Sequence, residues 1–526
     1  MITGSLMQDE SRKGDDLPGG EMSDDTGQKG EEMSTGSDME ALFAEIRPAA
    51  GYKKRGDHNP VMIQRFGADP YSMIYGDRVY LYMTGDDHML EPDGSIKENN
   101  YANIDKIHVL SSDDLVNWTD HGTVYAAGKN GAAVWGNNSW APAAAWKTID
   151  GKDRFFLYFA NSGNGIAVLS SDSPTGPFTD PIGGPLVSRD TPTCAEVTWL
   201  FDPAVLMDED GKAYIYFGGG IPSPDRASDP GTARMARLAD DMIHLDGDPV
   251  PIEQVAYLFE DSGINKIGGR YYYSYCSNFN VTDEAKKEFG FDSGEIVTMV
   301  GDDPLGPFTL WKGVLKNPGF FFGNGGNNHH CIFNFHDQWY IAYHARLLEK
   351  AMDSLHGYRS TNIDLLALDE NGAPAASKGT TKGVKQIRYQ DPYKQTPAVT
   401  IGNAAGITTR QFGEEAEKYG SGDMILTGIS DGSWICVHGE DFGTAEAAEF
   451  LVSVQGSGSG AIRVSLDAPD GPVVAFLPVD APGNRLTEIS STVLVKPSGV
   501  HDLYLTFAGS GYELYSWRFA NRSGKV

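Results

Sequence analysis

Three acidic residues have similar sequence surroundings although they lie far apart along the chain. Asp69 lies in FGADP, Asp202 in WLFDP and Glu260 in YLFEDSG, each after an apolar residue or a small one. Paired carboxyl groups can hydrolyse a glycosidic bond, because a protonated group protonates the leaving oxygen while an ionised group acts on water or on the anomeric carbon. These residue types therefore indicate hydrolytic acid–base chemistry.

The surroundings of each carboxyl group predict its role. Apolar neighbours disfavour the charged form of a carboxyl group, so Glu260 is predicted to be the general acid and Asp69 the ionised base. Asp202 would lie between them, hold Glu260 in position and raise its pKa by like-charge proximity. An isolated Asp-Pro pair could equally be a turn starter, since Asp caps a turn and Pro fixes φ.

An internal repeat predicts how such distant residues could meet. The segments DRVYLYMTG, DRFFLYFAN, GKAYIYFGG, GRYYYSYCS and DQWYIAYHA are spaced 58 to 76 residues apart, and each follows another short strand-forming segment. Two strands joined by a tight turn predict a hairpin. Five such repeats predict an all-β fold with a five-bladed β-propeller over residues 46–395, and a long irregular β-sandwich is the alternative.

The hairpins also predict an alignment between the blades. Counting back from each hairpin gives one residue in each blade, namely Asp69, Ala143, Asp202, Glu260 and His329. Innermost strands start beside the central channel of a propeller, so these residues are expected to converge at one end of it. Because clustered acids repel one another, such a cluster is typical of a functional site.

Composition excludes several classes of partner. The 526 residues include 42 Lys and Arg against 72 Asp and Glu, a net charge of −30, which argues against nucleic acid and anionic membranes but not against a neutral polysaccharide. Residues 1–45 are polar and acidic and predict a disordered leader. Four cysteines without metal-binding spacing predict free thiols and a cytoplasmic location, or a secreted protein if a signal peptide has been removed.

Residues 396–526 show a different pattern. Short alternating segments such as AEFLVSVQ, AIRVSLDA and DLYLTFAG, separated by turns that contain Gly and Pro, predict an antiparallel β-sandwich.

The first unit resembles glycoside hydrolase family 43 through NPVMIQRFGADP, NNSWAPAAAWK, TWLFDPAVLMDEDGKAYIYFGGG, FEDSGINKIGGRYYYSYCSN and GGNNHHCIFNFHDQWYIAYH. Within it, the chain is most similar to the arabinoxylan arabinofuranohydrolases. The resemblance implies a five-bladed propeller and an inverting exo-glycosidase that releases α-L-arabinofuranose from arabinoxylan or its oligosaccharides. It assigns the base to Asp69, the pKa modulator to Asp202 and the acid to Glu260. A β-D-xylosidase or a bifunctional enzyme would need the same carboxylates, and a non-catalytic carbohydrate-binding propeller is the alternative from a different class.

The resemblance implies further site residues. Trp140 would form a wall for the sugar, and Asn328 and Arg359 would contact its hydroxyl groups, although Arg359 could instead form a surface salt bridge. His329 matches a histidine on the propeller axis that holds one calcium ion in many members, completed by waters, and no organic cofactor is expected. Many members have an aspartate where this chain has Ala143.

The second unit is similar to carbohydrate-binding module family 6 through EEAEKYG, DGSWICV and GVHDLYLTFAG. Glu415 and Glu417 match the start of that family's structural calcium site, but Ser516 departs from it. The segment APGNRLTEIS lacks the usual exposed Trp of a sugar-binding loop. A packing or substrate-rim role is therefore expected for this unit.

Overall fold

The computed structural model describes residues 36–413, 423–481 and 483–521, and this part of the chain is dominated by strands. Its α-helices are short: α1 (Gly36–Glu45), α2 (Asp283–Phe289), α3 (Pro318–Phe322) and α4 (Leu347–Ala351). Within the described ranges, no helix is long and apolar enough to cross a membrane. The predicted all-β class is confirmed.

Five antiparallel sheets follow one another along the first unit. Their strands are β1–β4 (Gly67–Tyr75, Arg78–Gly85, Lys106–Ser112, Trp118–Tyr125), β5–β7 (Trp140–Ile149, Lys152–Ala160, Ile166–Ser171), β8–β11 (Ala204–Met207, Ala213–Phe217, Arg234–Leu238, Val250–Pro251), β12–β15 (Leu258–Ile267, Arg270–Ser277, Ile296–Gly301, Thr309–Leu315) and β16–β18 (His330–Phe335, Gln338–Ala345, Ser360–Leu365). A two-stranded sheet, β19 (Ala367–Leu368) and β20 (Pro374–Ala375), follows them. The first two strands of each large sheet form the predicted hairpins.

The five sheets contact one another in chain order. The first strand of each sheet touches the first strand of the next, and β16 of the fifth sheet touches β1 of the first. Separate hydrophobic clusters lie between neighbouring sheets, and one of them joins the fifth sheet to the first through Phe333, Tyr340 and Leu81. Aromatic residues dominate strands such as β13 (RYYYSYCS), because they suit a pleated buried surface.

The second unit consists of two further sheets that share one core. Its strands are β21 (Thr396–Pro397), β22 (Thr400–Ile401), β23 (Asn403–Ala405), β24 (Thr408–Phe412), β25 (Asp423–Thr427), β26 (Trp434–Asp441), β27 (Ala447–Gly456), β28 (Ser459–Leu466), β29 (Val473–Asp480), β30 (Gly483–Thr492), β31 (Val500–Gly509) and β32 (Tyr512–Asn521). One sheet has the order β24-β25-β32-β27-β30 and the other β23-β26-β31-β28-β29. Phe450, Leu505 and Trp517 lie in the cluster between them. Most of the segment APGNRLTEIS, expected to be a loop, forms β30.

The two units are joined by more than the connecting chain. Strand β22 leaves the second unit and pairs with β4 of the first sheet. In the other direction, α1 packs Met39 and Phe43 against Phe476 of the second unit. Met39 and Phe43 are four residues apart and so share one helix face. The predicted disordered leader is therefore wrong over Gly36–Glu45, and residues 1–35 lie outside the described part of the chain.

Candidate active site

The three predicted carboxylates meet at one place. Asp69 lies in β1, Glu260 in β12, and Asp202 two residues before β8, and all three line a cavity of about 460 Å³. This volume is within the usual range for small-molecule sites. Trp140, His329 and Arg359 line the same cavity. The geometry therefore brings together six of the seven residues singled out from the sequence.

Asn328 is the exception among these residues. It is fully buried, and its amide nitrogen donates to the Gly294 carbonyl at 3.0 Å. Its neighbour Asn327 lines the cavity instead. Side chains alternate between the two sides of an extended chain, so a shift of one residue decides which asparagine faces the substrate space.

The cavity edge is built from backbone in an unusual conformation. Residues at the start of four first strands have positive φ: Asp69 (47°), Ala141 (42°), Asp202 (49°) and Asp261 (71°). The strand pairing is irregular at this point in β1, β5 and β12. Such bulges are frequent beside active sites, because they redirect side chains.

The bulges correct the predicted alignment of the blades. Ala68 pairs with Thr84, and Glu260 pairs with Cys276, each the seventh residue of the second strand in its hairpin. The residue equivalent to Asp69 in the fourth sheet is therefore Asp261, and Glu260 precedes it. In the second sheet, Trp140 pairs with Ala160, the last residue of β6, and the next residue, Ala141, shares the positive φ of Asp69, so Ala141 rather than Ala143 is the equivalent. The predicted equivalence was wrong because counting residues cannot locate a bulge.

Asp69 is held in its ionised form by buried partners. Arg359 Nη1 lies 2.9 Å from Asp69 Oδ1, and His344 Nδ1 lies 3.0 Å from the same oxygen. Burial opposes the charged form, but the Arg359 charge and the hydrogen bond from His344 outweigh it and hold the pKa of Asp69 well below its ordinary value. Asp69 is therefore suited to act as a base.

Arg359 is in turn fixed by a second carboxylate. Its Nε lies 3.1 Å from Asp86 Oδ2, and its backbone N–H donates to the same oxygen at 2.8 Å. Asp86 also accepts from the Asn99 amide at 2.8 Å. The guanidinium is almost fully buried, so the alternative of a surface salt bridge is wrong.

Glu260 has the opposite environment. Burial comes first, and the charges of Asp202 and Asp69 follow, in raising the pKa of Glu260 well above its ordinary value. Its Oε1 is buried and has no hydrogen-bond partner within the described residues. A protonated carboxyl group with an uncommitted oxygen can donate a proton to a substrate.

Asp202 is coupled to both other carboxylates. Burial, followed by the Asp69 charge, raises the pKa of Asp202 well above its ordinary value. Its Oδ2 accepts from the Asp261 backbone N–H at 3.0 Å, which fixes it beside the segment that carries Glu260. Asp202 therefore lies where the predicted orienting role requires it, and the role itself stays a prediction.

His329 lies among carboxylates on the inner side of the cavity. Its Nε2 is 3.1 Å from Asp261 Oδ1, and its Nδ1 is 3.8 Å from both Asp69 and Asp202. Burial lowers the pKa of His329, so the ring is neutral, which is the form that binds metals. Asp261 Oδ1 is buried without an aligned hydrogen-bond donor in the described ranges. A neutral imidazole facing an unsatisfied carboxylate oxygen fits a largely hydrated calcium ion.

Aromatic side chains form the walls of the cavity. They are Tyr101, Trp140, Trp199, Phe201 and Phe259. The Trp140 indole N–H donates to the Tyr101 carbonyl at 3.0 Å, and the Arg359 guanidinium lies 4.8 Å from the centre of the Tyr101 ring. Flat aromatic surfaces beside a few charged groups suit a sugar ring, which has apolar faces and polar edges.

Several supporting residues were not predicted. Asp86 and His344 lie within GDDHML and YIAYHA, segments that read as ordinary strand ends, and only the fold shows that they reach Arg359 and Asp69. Asp261 had a visible signal, because it follows Glu260 directly as a second acid in an apolar segment. It accepts the His330 backbone N–H at 3.0 Å and also contacts the His330 ring, so it ties the fourth sheet to the fifth.

Two other regions differ from this site. A cavity of about 420 Å³ opens beside later residues of the first strands, and none of the three carboxylates lines it. In the second unit, Ser516 is buried and its hydroxyl accepts from the Gln395 amide at 2.8 Å. Glu415 and Glu417 lie outside the described residues.

Comparisons with known proteins identify the families to which the two units are similar. The sequence model of Glycosyl hydrolases family 43 matches residues 58–374, and that of Carbohydrate binding module (family 6) matches residues 397–521. An arabinoxylan arabinofuranohydrolase of Paenibacillus polymyxa is 46% identical over 91% of this chain and 76% of its own length. One of Bacillus subtilis is 43% identical over 89% of this chain and 94% of its own. A crystal structure of a Bacillus subtilis family 43 arabinoxylan arabinofuranohydrolase with cellotetraose has a TM-score of 0.85 at 42% identity, covering 90% of this chain and 99% of that one.

Proposed function

Since this chain belongs to glycosyl hydrolases family 43 and is a glycoside hydrolase, we propose that it releases α-L-arabinofuranose branches from arabinoxylan or arabinoxylo-oligosaccharides. The names of its relatives support this substrate. One observation carries the proposal: a single cavity holds Asp69, whose pKa is lowered, and Glu260, whose pKa is raised. Pairs of carboxyl groups with pKa values pushed apart are typical of glycosidases.

We also propose that the five sheets are the blades of a five-bladed β-propeller and that the second unit is a β-sandwich. Contacts between successive first strands, and the hydrophobic cluster that joins the fifth sheet to the first, support the ring arrangement. In such a ring the starts of the first strands face one channel mouth, which is where the carboxylates lie.

The reaction proceeds by a single displacement. Glu260 donates its proton to the glycosidic oxygen as the bond from that oxygen to the anomeric carbon breaks. Asp69 accepts a proton from the water that attacks the anomeric carbon from the opposite side, so the released sugar has inverted configuration. The proximity of Asp202 keeps the Glu260 carboxyl group protonated. Asp202 also accepts the Asp261 backbone N–H and so fixes the segment that carries Glu260.

The remaining residues position the sugar. Trp140 provides a flat wall, and Arg359 presents guanidinium N–H groups toward the cavity while it holds Asp69. His329 and Asp261 would hold a calcium ion, which would supply positive charge beside the carboxylates. His329 and Asp261 also contact each other directly, and this contact orders the inner wall.

Product analysis on arabinoxylan tests the substrate. We expect arabinose as the main product, and activity on a 4-nitrophenyl arabinofuranoside well above that on the xylopyranoside. Proton NMR of the first-formed anomer is expected to show inversion. Equal activity on both aryl glycosides would show a bifunctional xylosidase and arabinofuranosidase instead. A product with retained configuration would contradict the single-displacement mechanism.

The variant Glu260→Gln tests the general acid. Loss of a general acid typically costs about 10²- to 10⁴-fold in rate. The loss should be large on arabinoxylo-oligosaccharides, whose leaving group needs a proton, and much smaller on an aryl arabinofuranoside with an acidic phenol. An equal loss on both substrates, or hydrolysis of oligosaccharides within a few-fold of the parent, would contradict the assignment.

The second unit is assigned a packing role. It pairs β22 with β4 of the first unit, which carries the catalytic cavity and is called the catalytic unit below, and it buries α1. It therefore supports the catalytic unit directly. The cytoplasmic location remains a prediction from cysteine content.

A further inference from the structure

A second cluster of metal-ligating side chains lies in the β-sandwich unit, far in sequence from the catalytic carboxylates. It consists of Cys436, His438 and Asp502, whose ligand atoms all lie within 4.8 Å of one another. Cys436 and His438 are alternate residues of β26, and Asp502 lies on the neighbouring strand β31. Alternate residues share one face of a sheet, so the topology itself brings the three groups together.

The distances match a metal site. Cys436 Sγ is 3.7 Å from His438 Nδ1, and the same nitrogen is 3.2 Å from Asp502 Oδ2. With zinc–sulfur bonds of about 2.3 Å and zinc–nitrogen or zinc–oxygen bonds of about 2.0–2.2 Å, a tetrahedral site separates its ligand atoms by about 3.3–3.7 Å. Two of the three ligand-to-ligand distances therefore match the edge length of such a tetrahedron within about 0.1 Å, and the third pair lies within 4.8 Å.

The geometry favours a cation at this point. Cys436 Sγ and Asp502 Oδ2 both face the same ring nitrogen of His438, so an ion between them would contact a sulfur, a carboxylate oxygen and an imidazole nitrogen. The other ring nitrogen, His438 Nε2, is buried and has no hydrogen-bond partner in the described part of the chain.

The site is accessible from one side. The Cys436 and His438 side chains are buried, whereas the Asp502 side chain is 31% exposed and gives an ion a route of entry. A set of one sulfur, one nitrogen and one oxygen is borderline-soft, which suits zinc rather than calcium or magnesium. Three protein ligands leave one position for water.

We propose that Cys436, His438 and Asp502 bind one zinc ion, which links β26 to β31 where the sandwich packs against the catalytic unit. The His438 backbone N–H donates to the Asn117 side chain at 2.7 Å, and the His58 ring lies 5.2 Å from the His438 ring. Asn117 and His58 belong to the catalytic unit. The ion therefore stabilises the interface between the two units rather than the hydrolysis itself.

Metal analysis of the full-length protein tests the proposal. The protein is loaded with zinc sulfate, desalted and analysed by mass spectrometry, and one zinc per chain is expected. Cys436→Ser and Asp502→Asn should weaken zinc binding at least about 100-fold. Cys194→Ser, which changes another buried cysteine far from the cluster, is the matched control and should retain the ion.

Cobalt gives an independent readout that does not depend on activity. Replacement of zinc by Co²⁺ should produce the thiolate charge-transfer band and the intense visible bands of a tetrahedral site. The Cys436→Ser variant should lack the thiolate charge-transfer band. If Cys436→Ser fails to fold, Asp502→Asn changes a partly exposed side chain and keeps the test valid. Folded parent protein that retains no zinc and shows no thiolate–cobalt band would overturn the proposal and leave a buried ion pair.

Discussion

Replacing Arg359 by methionine tests how the base is kept ionised. Methionine retains much of the buried aliphatic volume but removes the charge between Asp69 and Asp86. The Arg359 Nη1 atom lies 2.9 Å from Asp69 Oδ1, which places the charge centres on the order of 4 Å apart. Such a pair is worth about 4 kcal/mol at an effective dielectric constant of about 20.

Two consequences follow for Arg359→Met. The pKa of Asp69 rises, so the acid limb of kcat/KM should move upward by about one to two pH units, since one pH unit corresponds to about 1.4 kcal/mol and water offsets part of the loss. Two buried carboxylates also lose their partner, which should cost about 3–5 kcal/mol of unfolding free energy at neutral pH.

The pH dependence of stability has a definite sign. The pKa of Asp69 is lowered by folding, so its ion pair stabilises the native state above the unfolded-state value of 3.8 and is lost as the pH falls through the folded value. The difference in the free energy of unfolding between the parent and Arg359→Met should therefore be largest at pH 7 and decrease only in strong acid. Urea unfolding at neutral and acidic pH measures it.

The matched control for this variant is Arg65→Met. Arg65 also pairs with a buried carboxylate, Asp120, but neither residue lines the catalytic cavity. Arg65→Met should lose stability and leave the kcat/KM profile in place. A folded Arg359→Met enzyme with an unmoved acid limb would refute the reasoning, because Asp69 would then not depend on Arg359.

Three further predictions concern single residues. Asp202→Asn removes a charge that raises the pKa of Glu260, so the alkaline limb of kcat/KM should move to lower pH. Burial and the charges of Asp114 and Asp391 raise the pKa of Glu440 to about 8. The free energy of unfolding should therefore fall by about 1.4 kcal/mol per pH unit between about pH 5 and 8. Glu440→Gln should abolish this slope in urea titrations. Phe43→Ala should cost about 3 kcal/mol, seen as a lower thermal midpoint, because its buried ring stacks on Phe476.

Each of these predictions has a clear contrary result. If the alkaline limb of kcat/KM does not move in Asp202→Asn, then Asp202 does not control the pKa of Glu260. A parent protein as stable at pH 8 as at pH 5 would show that Glu440 is satisfied in its ionised form. Leu42→Ala, on the exposed side of the same helix as Phe43, is the control and should change stability little.

Much of the architecture could be predicted from local pattern. The five hairpins were visible because each repeats a turn followed by aromatic and β-branched residues. The carboxylates were visible because each directly precedes such a hairpin. What could not be read was the backbone between them: a bulge leaves no residue signature, so the alignment placed Glu260 where Asp261 lies.

Long-range contacts set the other limit. Nothing near Asp86 or His344 in sequence indicates that they fix Arg359 and Asp69, since these pairs lie in different sheets. The choice between Asn327 and Asn328 depended on one residue of register. The cysteines showed no metal-binding spacing because Asp502 approaches Cys436 from a neighbouring strand rather than along the chain.

The positive φ angles of Asp69, Asp202 and Asp261 have a consequence for how this protein can be improved. Glycine adopts that backbone region without the steric cost that a side chain brings. Selection for heat resistance and selection for turnover therefore act in opposite directions at Asp202, where burial disfavours the charged carboxyl group, whereas the ion pair with Arg359 stabilises the acid at Asp69. A library screened only for survival after heating should accumulate glycine at position 202 in inactive clones, so thermostability campaigns need an activity filter at every round.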